Sequence, residues 1–335
     1  MPRGRSVIVP APRAGRSPEK HRYRQAVPAV PAEGRAAWRG PVHGPWHSRA
    51  MLAYRHAFHA GNHADVLKHI VLAEVLAHLN SKDKGWRYVD THAGAGGYAL
   101  DGEYAERKRE HDGGIGALWP RTDLPAPVAR YVERVRQFNA DGRLRQYPGS
   151  PAFAHAAQRP QDQLRLFELH PTDHKILASY LGDEPGVEVH LADGFAALKS
   201  ALPPPTRRGA VLIDPPYEIK TDYARALGGL REALGRFAEG IVIVWLPQVQ
   251  LVEAARLPQR LKASAEALAR KGWLHARLTV AQADARGFGL LGSSVFVANP
   301  PHTLFATLQP LLPWLARTLG RFDGAKGFVE RSQQA

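Results

Sequence analysis

Val211-Leu212-Ile213-Asp214-Pro215-Pro216-Tyr217 is an apolar, β-branched run that stops at an acid and two prolines. Such a run predicts a buried parallel strand whose C-terminal end carries a fixed loop. Open α/β sheets bind their ligands at that end of the strands. Each proline fixes φ and removes a backbone donor, so the loop offers carbonyl oxygens, one carboxylate and an aromatic ring. These groups suit a neutral amino group on a flat ring. Asp214 and the Pro215 carbonyl can each accept one of its hydrogens while Tyr217 stacks on the ring, which leaves the nitrogen lone pair facing outward. The four residues alone fit equally a tight turn with a solvated Asp214 and a packed Tyr217, so the rest of the chain has to decide.

Other strands repeat the pattern. Trp86 to Thr91 reads as the first strand and leads into His92-Ala93-Gly94-Ala95-Gly96-Gly97, small residues that let backbone approach a ligand closely. That glycine pattern is not the dinucleotide fingerprint G-x-G-x-x-G, which argues against a nicotinamide oxidoreductase. Leu164 to Glu168, Val187 to Leu191, Ile241 to Leu246, Trp273 to Val280 and Ser294 to Ala298 complete seven strands, alternating with helical stretches. The alternation specifies a doubly wound α/β sheet. Glu168, Asp193 and Asp214 each close a successive strand, placing three acids on one edge beside the glycine turn. Glu168 stands where Rossmann-like folds hold ribose hydroxyls. Asp193 can accept from an adenine amino group, and Asp193-Gly194 can also be a plain turn.

More than sixty residues separate the first two strands, where one helix would suffice, so about 98–148 is read as an insertion, a small helical subdomain with helices near Gly114–Trp119 and Pro127–Phe138. After it, Ser150 reads as an N-cap and Pro151 as a first helical residue, an N-terminus able to receive a carboxylate. Upstream, Asn62 is the expected cap of a helix over His63 to Leu79, with Asp65 favouring its N-terminus. Irregular chain rich in His, Tyr and Arg, including Tyr54, Arg55, His56 and His59, precedes that helix and suggests a binding surface.

The net charge of +14 suggests nucleic acid, but it is unevenly spread. Residues 1–50 hold ten Lys and Arg against Glu19 and Glu33, together with eight prolines and no apolar periodicity. They are expected to form a disordered basic extension ahead of Met51, either a translated upstream segment or an RNA-binding tail. The other 285 residues carry only +6. The absence of cysteine excludes disulfides, thiolate metal sites and a Cys nucleophile. No apolar run approaches transmembrane length. The domain is expected to span 51–325 with 326–335 as a tail, and nothing in the sequence calls for a metal.

Tyr54-Arg55-His56, Phe58 to His69, Asp90-Thr91-His92-Ala93-Gly94-Ala95-Gly96, Tyr147-Pro148-Gly149-Ser150-Pro151 and Asp214-Pro215-Pro216-Tyr217 occur here in one order. In this the chain resembles class I S-adenosylmethionine-dependent methyltransferases and, more closely, the large-subunit ribosomal RNA adenine-N6 methyltransferase J family, from Met51 to about Leu319. The resemblance implies a Rossmann-like fold and cofactor contacts by Lys68, His69, His92, Ser150, Glu168, Asp193, Gly194 and Asp214. It implies catalysis by Asp214, with Pro215 and Tyr217 in its loop, Lys68 and His56 assisting, and Tyr54 on the RNA. Lys68 is expected to neutralise the methionine carboxylate. The implied partner is 23S ribosomal RNA, met in the cytoplasm by a monomer. The rivals are a DNA adenine-N6 methyltransferase, which shares the acidic Pro-Pro-Tyr loop, and a non-catalytic RNA-binding protein.

Overall fold

Four parallel strands with almost uniformly apolar interiors form the centre of the molecule: β1 (Arg87–Asp90), β4 (Gln163–Glu168), β6 (Gly209–Ile213) and β7 (Ile241–Gln248). All five residues of β6 are buried, as a strand covered by helices on both faces requires. The computed structural model describes residues 59–101, 109–284 and 289–333. The expected extension over 1–50 and the candidate residues Tyr54 and His56 lie outside the described residues.

With β5 (Val187–Leu191), β8 (Trp273–Thr279), β9 (Gly292–Ala298) and β10 (Lys326–Arg331), the strand order is β10-β8-β9-β7-β6-β1-β4-β5. Pairing is parallel from β5 through β7, then antiparallel at β7–β9, β9–β8 and β8–β10. All seven expected strands are present. The eighth, β10, replaces the expected tail; its Glu330 lies opposite His275 and its Phe328 opposite Arg277. A second, two-stranded sheet joins β2 (Gly97–Ala99) to β3 (Gln146–Pro148).

The first described helix, α1 (His63–Asn80), begins where Asn62 predicts, with the Asn62 Oδ1 accepting from the amides of Ala64 and Asp65. Within the insertion lie α2 (Ile115–Leu118) and α3 (Ala126–Gln137), close to the expected positions. Their buried residues Ile115, Leu118, Val128, Tyr131 and Val135 belong to one core with Val66, Leu67 and Ile70 of α1 and Leu164 and Leu212 of the sheet. The next helices are α4 (Ser150–Ala157), α5 (Pro171–Leu181) and α6 (Gly194–Ala201). Then come α7 (Thr221–Arg236), α8 (Val252–Leu268) and α9 (Leu304–Leu319). The other face of the sheet packs on α7 and α8 through Val211, Ile213, Leu230 and Leu261. Among the described residues no helix is long and apolar enough to cross a membrane, and no group of three or more His, Cys, Asp or Glu is arranged to hold a metal.

Candidate active site

A cavity of about 390 Å³ opens at the C-terminal ends of β1, β4, β5 and β6. This is the place where the strand order turns around, because β4 and β6 both flank β1 and the chain crosses from one side to the other. Eight of the sequence candidates line it: Lys68, His69, His92, Ser150, Glu168, Asp193, Gly194 and Asp214. Pro216 is on its wall, whereas Pro215 and Tyr217 are not.

Asp214 leaves β6 with its side chain 12% exposed and its Oδ2 2.6 Å from the Lys68 ammonium. Lys68, one turn into α1, is 4% exposed and also meets Asp65 Oδ1 at 2.7 Å. Burial alone would push the Lys68 ammonium down, but Asp214 and Asp65 outweigh it and hold the group well above the ordinary lysine range. Lys68 is expected to neutralise the methionine carboxylate; in the structure two of its three donor directions serve protein carboxylates, which leaves one for a ligand.

The loop after Asp214 turns through Tyr217 in the left-handed region, at φ 55. A bulky residue adopts that conformation only when its surroundings enforce it. Here the Tyr217 hydroxyl donates to the Trp245 carbonyl at 2.7 Å and the ring lies against Tyr223 and Trp245. Tyr217 is 7% exposed. Of the tight-turn reading the packed tyrosine is observed and the solvated aspartate is not, since Asp214 is held by Lys68; the tyrosine acts as an anchor for the Pro-Pro segment.

Gly94 stands at φ 63, and a Cβ there would lie 2.2 Å from the Tyr98 hydroxyl, so any other residue strains the turn and must displace that hydroxyl. Its amide donates to Glu168 Oε2 at 2.7 Å, and the His170 amide donates to Oε1 at 2.6 Å. Burial raises the Glu168 carboxyl above its ordinary range against the pull of those two amides. Asp193 caps α6 through the Phe195 amide at 3.0 Å and pairs with Arg225, whose guanidinium also lies 4.5 Å from the Phe195 ring centroid. His92 bonds Thr91 Oγ1 at 2.8 Å and meets Phe195 edge-on. Burial, then Arg225, lowers its pKa to about 3, so it is neutral. His69 Nδ1 is 2.8 Å from the Tyr147 hydroxyl, which in turn contacts the Tyr131 hydroxyl at 3.0 Å, so the insertion reaches the cavity wall through a buried polar chain.

One local expectation is corrected. Gly149, not Ser150, is the N-cap of α4, with Ser150 in the first turn and its hydroxyl donating to Asp90 Oδ2 at 2.7 Å. The stronger claim on that hydroxyl is the buried Asp90 carboxylate, which also accepts from the Tyr88 hydroxyl at 2.7 Å.

Comparison with known proteins settles the family. The family model described as "Ribosomal RNA large subunit methyltransferase D, RlmJ" matches residues 83–330. Ribosomal RNA large subunit methyltransferase J of Escherichia coli is 46% identical over 265 residues, 79% of this chain and 93% of that protein. Its Haemophilus influenzae counterpart is 44% identical over 270 residues, 80% and 94% of the two chains. The chain belongs to the ribosomal RNA large subunit methyltransferase J family. A solved Legionella pneumophila protein has the same architecture, with a TM-score of 0.74 at 32% identity, covering 82% of this chain and 99% of that one.

A class I methyltransferase fold of this family implies S-adenosylmethionine, and the donor set fits it. The cavity has nucleoside-scale volume, a glycine turn that brings backbone to its wall, and carboxylates at the ends of β4, β5 and β6 able to receive hydroxyl and amino groups. Three acids of the methyltransferase J fold went unassigned in the sequence. Asp90 opens the Asp90–Gly96 stretch; it is fully buried, and its pKa is raised to about 6 by burial against its hydrogen bonds. Asp65 reads as a helix-end residue. Asp222, 2% exposed and on the cavity wall, has a buried Oδ2 with no hydrogen-bond partner. Its place beside Arg225 in the first turn of α7, next to the Pro-Pro loop, was the available signal.

Proposed function

We propose that this chain methylates the exocyclic N6 of a specific adenine in 23S ribosomal RNA in the cytoplasm, using S-adenosylmethionine. The observation that carries the reading is the Asp214 carboxylate, clamped by Lys68 at the mouth of the Pro-Pro loop and facing the same cavity as Gly94 and Glu168. Because Lys68 occupies Oδ2, Oδ1 is the acceptor left for an amino hydrogen. The Pro215 carbonyl accepts the second hydrogen, and the N6 lone pair then points at the cavity. The cofactor, when bound, supplies an activated methyl carbon. Asp214 and the fixed loop hold N6 in line with that carbon, and positioning of this kind is the main catalytic contribution needed. The proton that N6 sheds after the new C–N bond forms faces Asp214. Tyr217 contributes by fixing the loop, and Tyr54 and His56 remain candidates for RNA contact and assistance. The cofactor ribose is assigned to Glu168 and its adenine to Asp193, with Ser150, His69 and Gly194 lining the rest.

The test is incubation with tritium-labelled cofactor and unmodified 23S ribosomal RNA, with duplex DNA in parallel, followed by mapping of the labelled nucleotide. Label on one RNA adenine, absent from DNA and lost in Asp214→Ala with the fold intact, is expected. An unaltered rate in Asp214→Ala refutes the assignment, and label on DNA alone favours the rival enzyme.

A further inference from the structure

We infer that Asp65 is a positioning residue for methyl transfer, holding the Lys68 ammonium against Asp214 and so setting where the acceptor oxygen points. The inference rests on the proposed role of Asp214. Asp65 is 2% exposed and both of its oxygens are engaged: Oδ2 accepts from the Gly61 amide at 2.9 Å, and Oδ1 faces Lys68 Nζ at 2.7 Å. Lys68 continues to Asp214, 146 residues away in sequence, at 2.6 Å. The result is a line of contacts from a backbone amide through two carboxylates and one ammonium to the catalytic loop.

Two features argue that this line serves geometry. First, Asp214 alone would neutralise Lys68, yet the ammonium also meets a second buried carboxylate, Asp65. The helix does not need it as a cap, because Asn62 already satisfies the amides of Ala64 and Asp65. Second, a lysine stem has four flexible carbons and a rotatable head, so a single partner leaves its ammonium poorly placed. A second carboxylate, itself pinned to the Gly61 amide, removes that freedom. Gly61 is in turn fixed by the insertion, since its carbonyl accepts from the Ile115 amide at 2.9 Å. The insertion thereby supports the catalytic aspartate through Asp65.

The experiment is a double-mutant cycle in the full chain. Asp65→Asn keeps an acceptor for Gly61 and removes the charge; kcat is expected to fall roughly tenfold to 100-fold, the scale of a small misplacement of reacting groups. KM for cofactor and RNA should stay within about twofold, since both ligands bind as before. In a Lys68→Met background, measured under single-turnover conditions, Asp65→Asn should produce no further loss of rate, because the ammonium that it positions is gone. Unchanged kcat in Asp65→Asn, or losses that multiply in the double variant, overturns the inference. Asp65→Ser is the second variant, and parallel loss of calorimetric cofactor binding and of turnover in both would assign Asp65 to the fold and overturn it too. Failure of the functional reading is separable, because it would appear as wild-type inactivity or an active Asp214→Ala.

Discussion

Acidification should loosen the β8–β10 edge through His275. This side chain is 1% exposed on β8; its Nδ1 lies 3.2 Å from Glu330 Oε1 on β10, and its Nε2 is buried without a hydrogen-bond partner. Lys262 contacts the same Glu330 oxygen at 2.8 Å. Burial first, then Arg277 and Lys262, outweighs Glu330 and lowers the His275 pKa from 6.5 to about 4. Above pH 6.5 the imidazole is neutral in both folded and unfolded chains. As pH falls toward about 4 the unfolded chain takes a proton that the folded one resists, so stability is lost across that window. The gap corresponds to roughly 3 kcal/mol when complete. Glu330, itself held below the usual carboxylate range, adds in the same direction, weakly because it is well exposed. Urea unfolding of wild type and His275→Gln at pH 7.5 and 4.5 measures the effect. Wild type should lose about 2–3 kcal/mol more than the variant between the two conditions. Since His63 and His92 are present in both proteins, the difference reports His275 together with its coupling to Glu330, and equal losses would refute the reasoning.

Lys68→Met removes the ammonium that Asp65 and Asp214 share and should destabilise the fold by about 3–5 kcal/mol, read as a lower Tm. Gly94→Ala puts a methyl group against the Tyr98 hydroxyl in a left-handed turn; calorimetry should show weakened cofactor binding, with a stability loss of about 1–2 kcal/mol. Asp90→Ala strips the acceptor from the hydroxyls of Tyr88 and Ser150 and should lower both stability, by about 2–4 kcal/mol, and cofactor affinity. Tyr217→Phe releases the Trp245 carbonyl and should cut turnover more than cofactor binding, which steady-state and calorimetric measurements separate.

Strands with unbroken apolar interiors were legible because burial on both faces leaves no other composition for them, and α1 was legible from the Asn62 cap. β10 was not. Lys326-Gly327-Phe328-Val329-Glu330-Arg331 is an edge strand with charged residues at both ends, and only its pairing with β8 makes it a strand. The three-residue strands β2 and β3 are too short for any period to show. At the site, the acids at strand ends were readable because strand polarity decides where they emerge. The orientation of Tyr217 was not, since it follows from a left-handed turn and from Trp245, 28 residues on. Asp65 illustrates the same limit: three residues from Asn62 it looks like a helix-end charge, and only the fold brings Asp214 within reach of its neighbour Lys68.

The first and last described helices touch, and Leu308, Leu311 and Leu315 of α9 share a core with Val66 and Ile70 of α1. In a growing polypeptide α3 and α4 can cover part of α1 early, but the surface that meets β9 and α9 stays open until almost the whole chain has been synthesised. Closure depends on contacts remote in sequence, a pattern that slows folding and prolongs exposure to proteases and chaperones. Chains halted before residue 304 should be cleaved within α1, and release of the full product should bring protection.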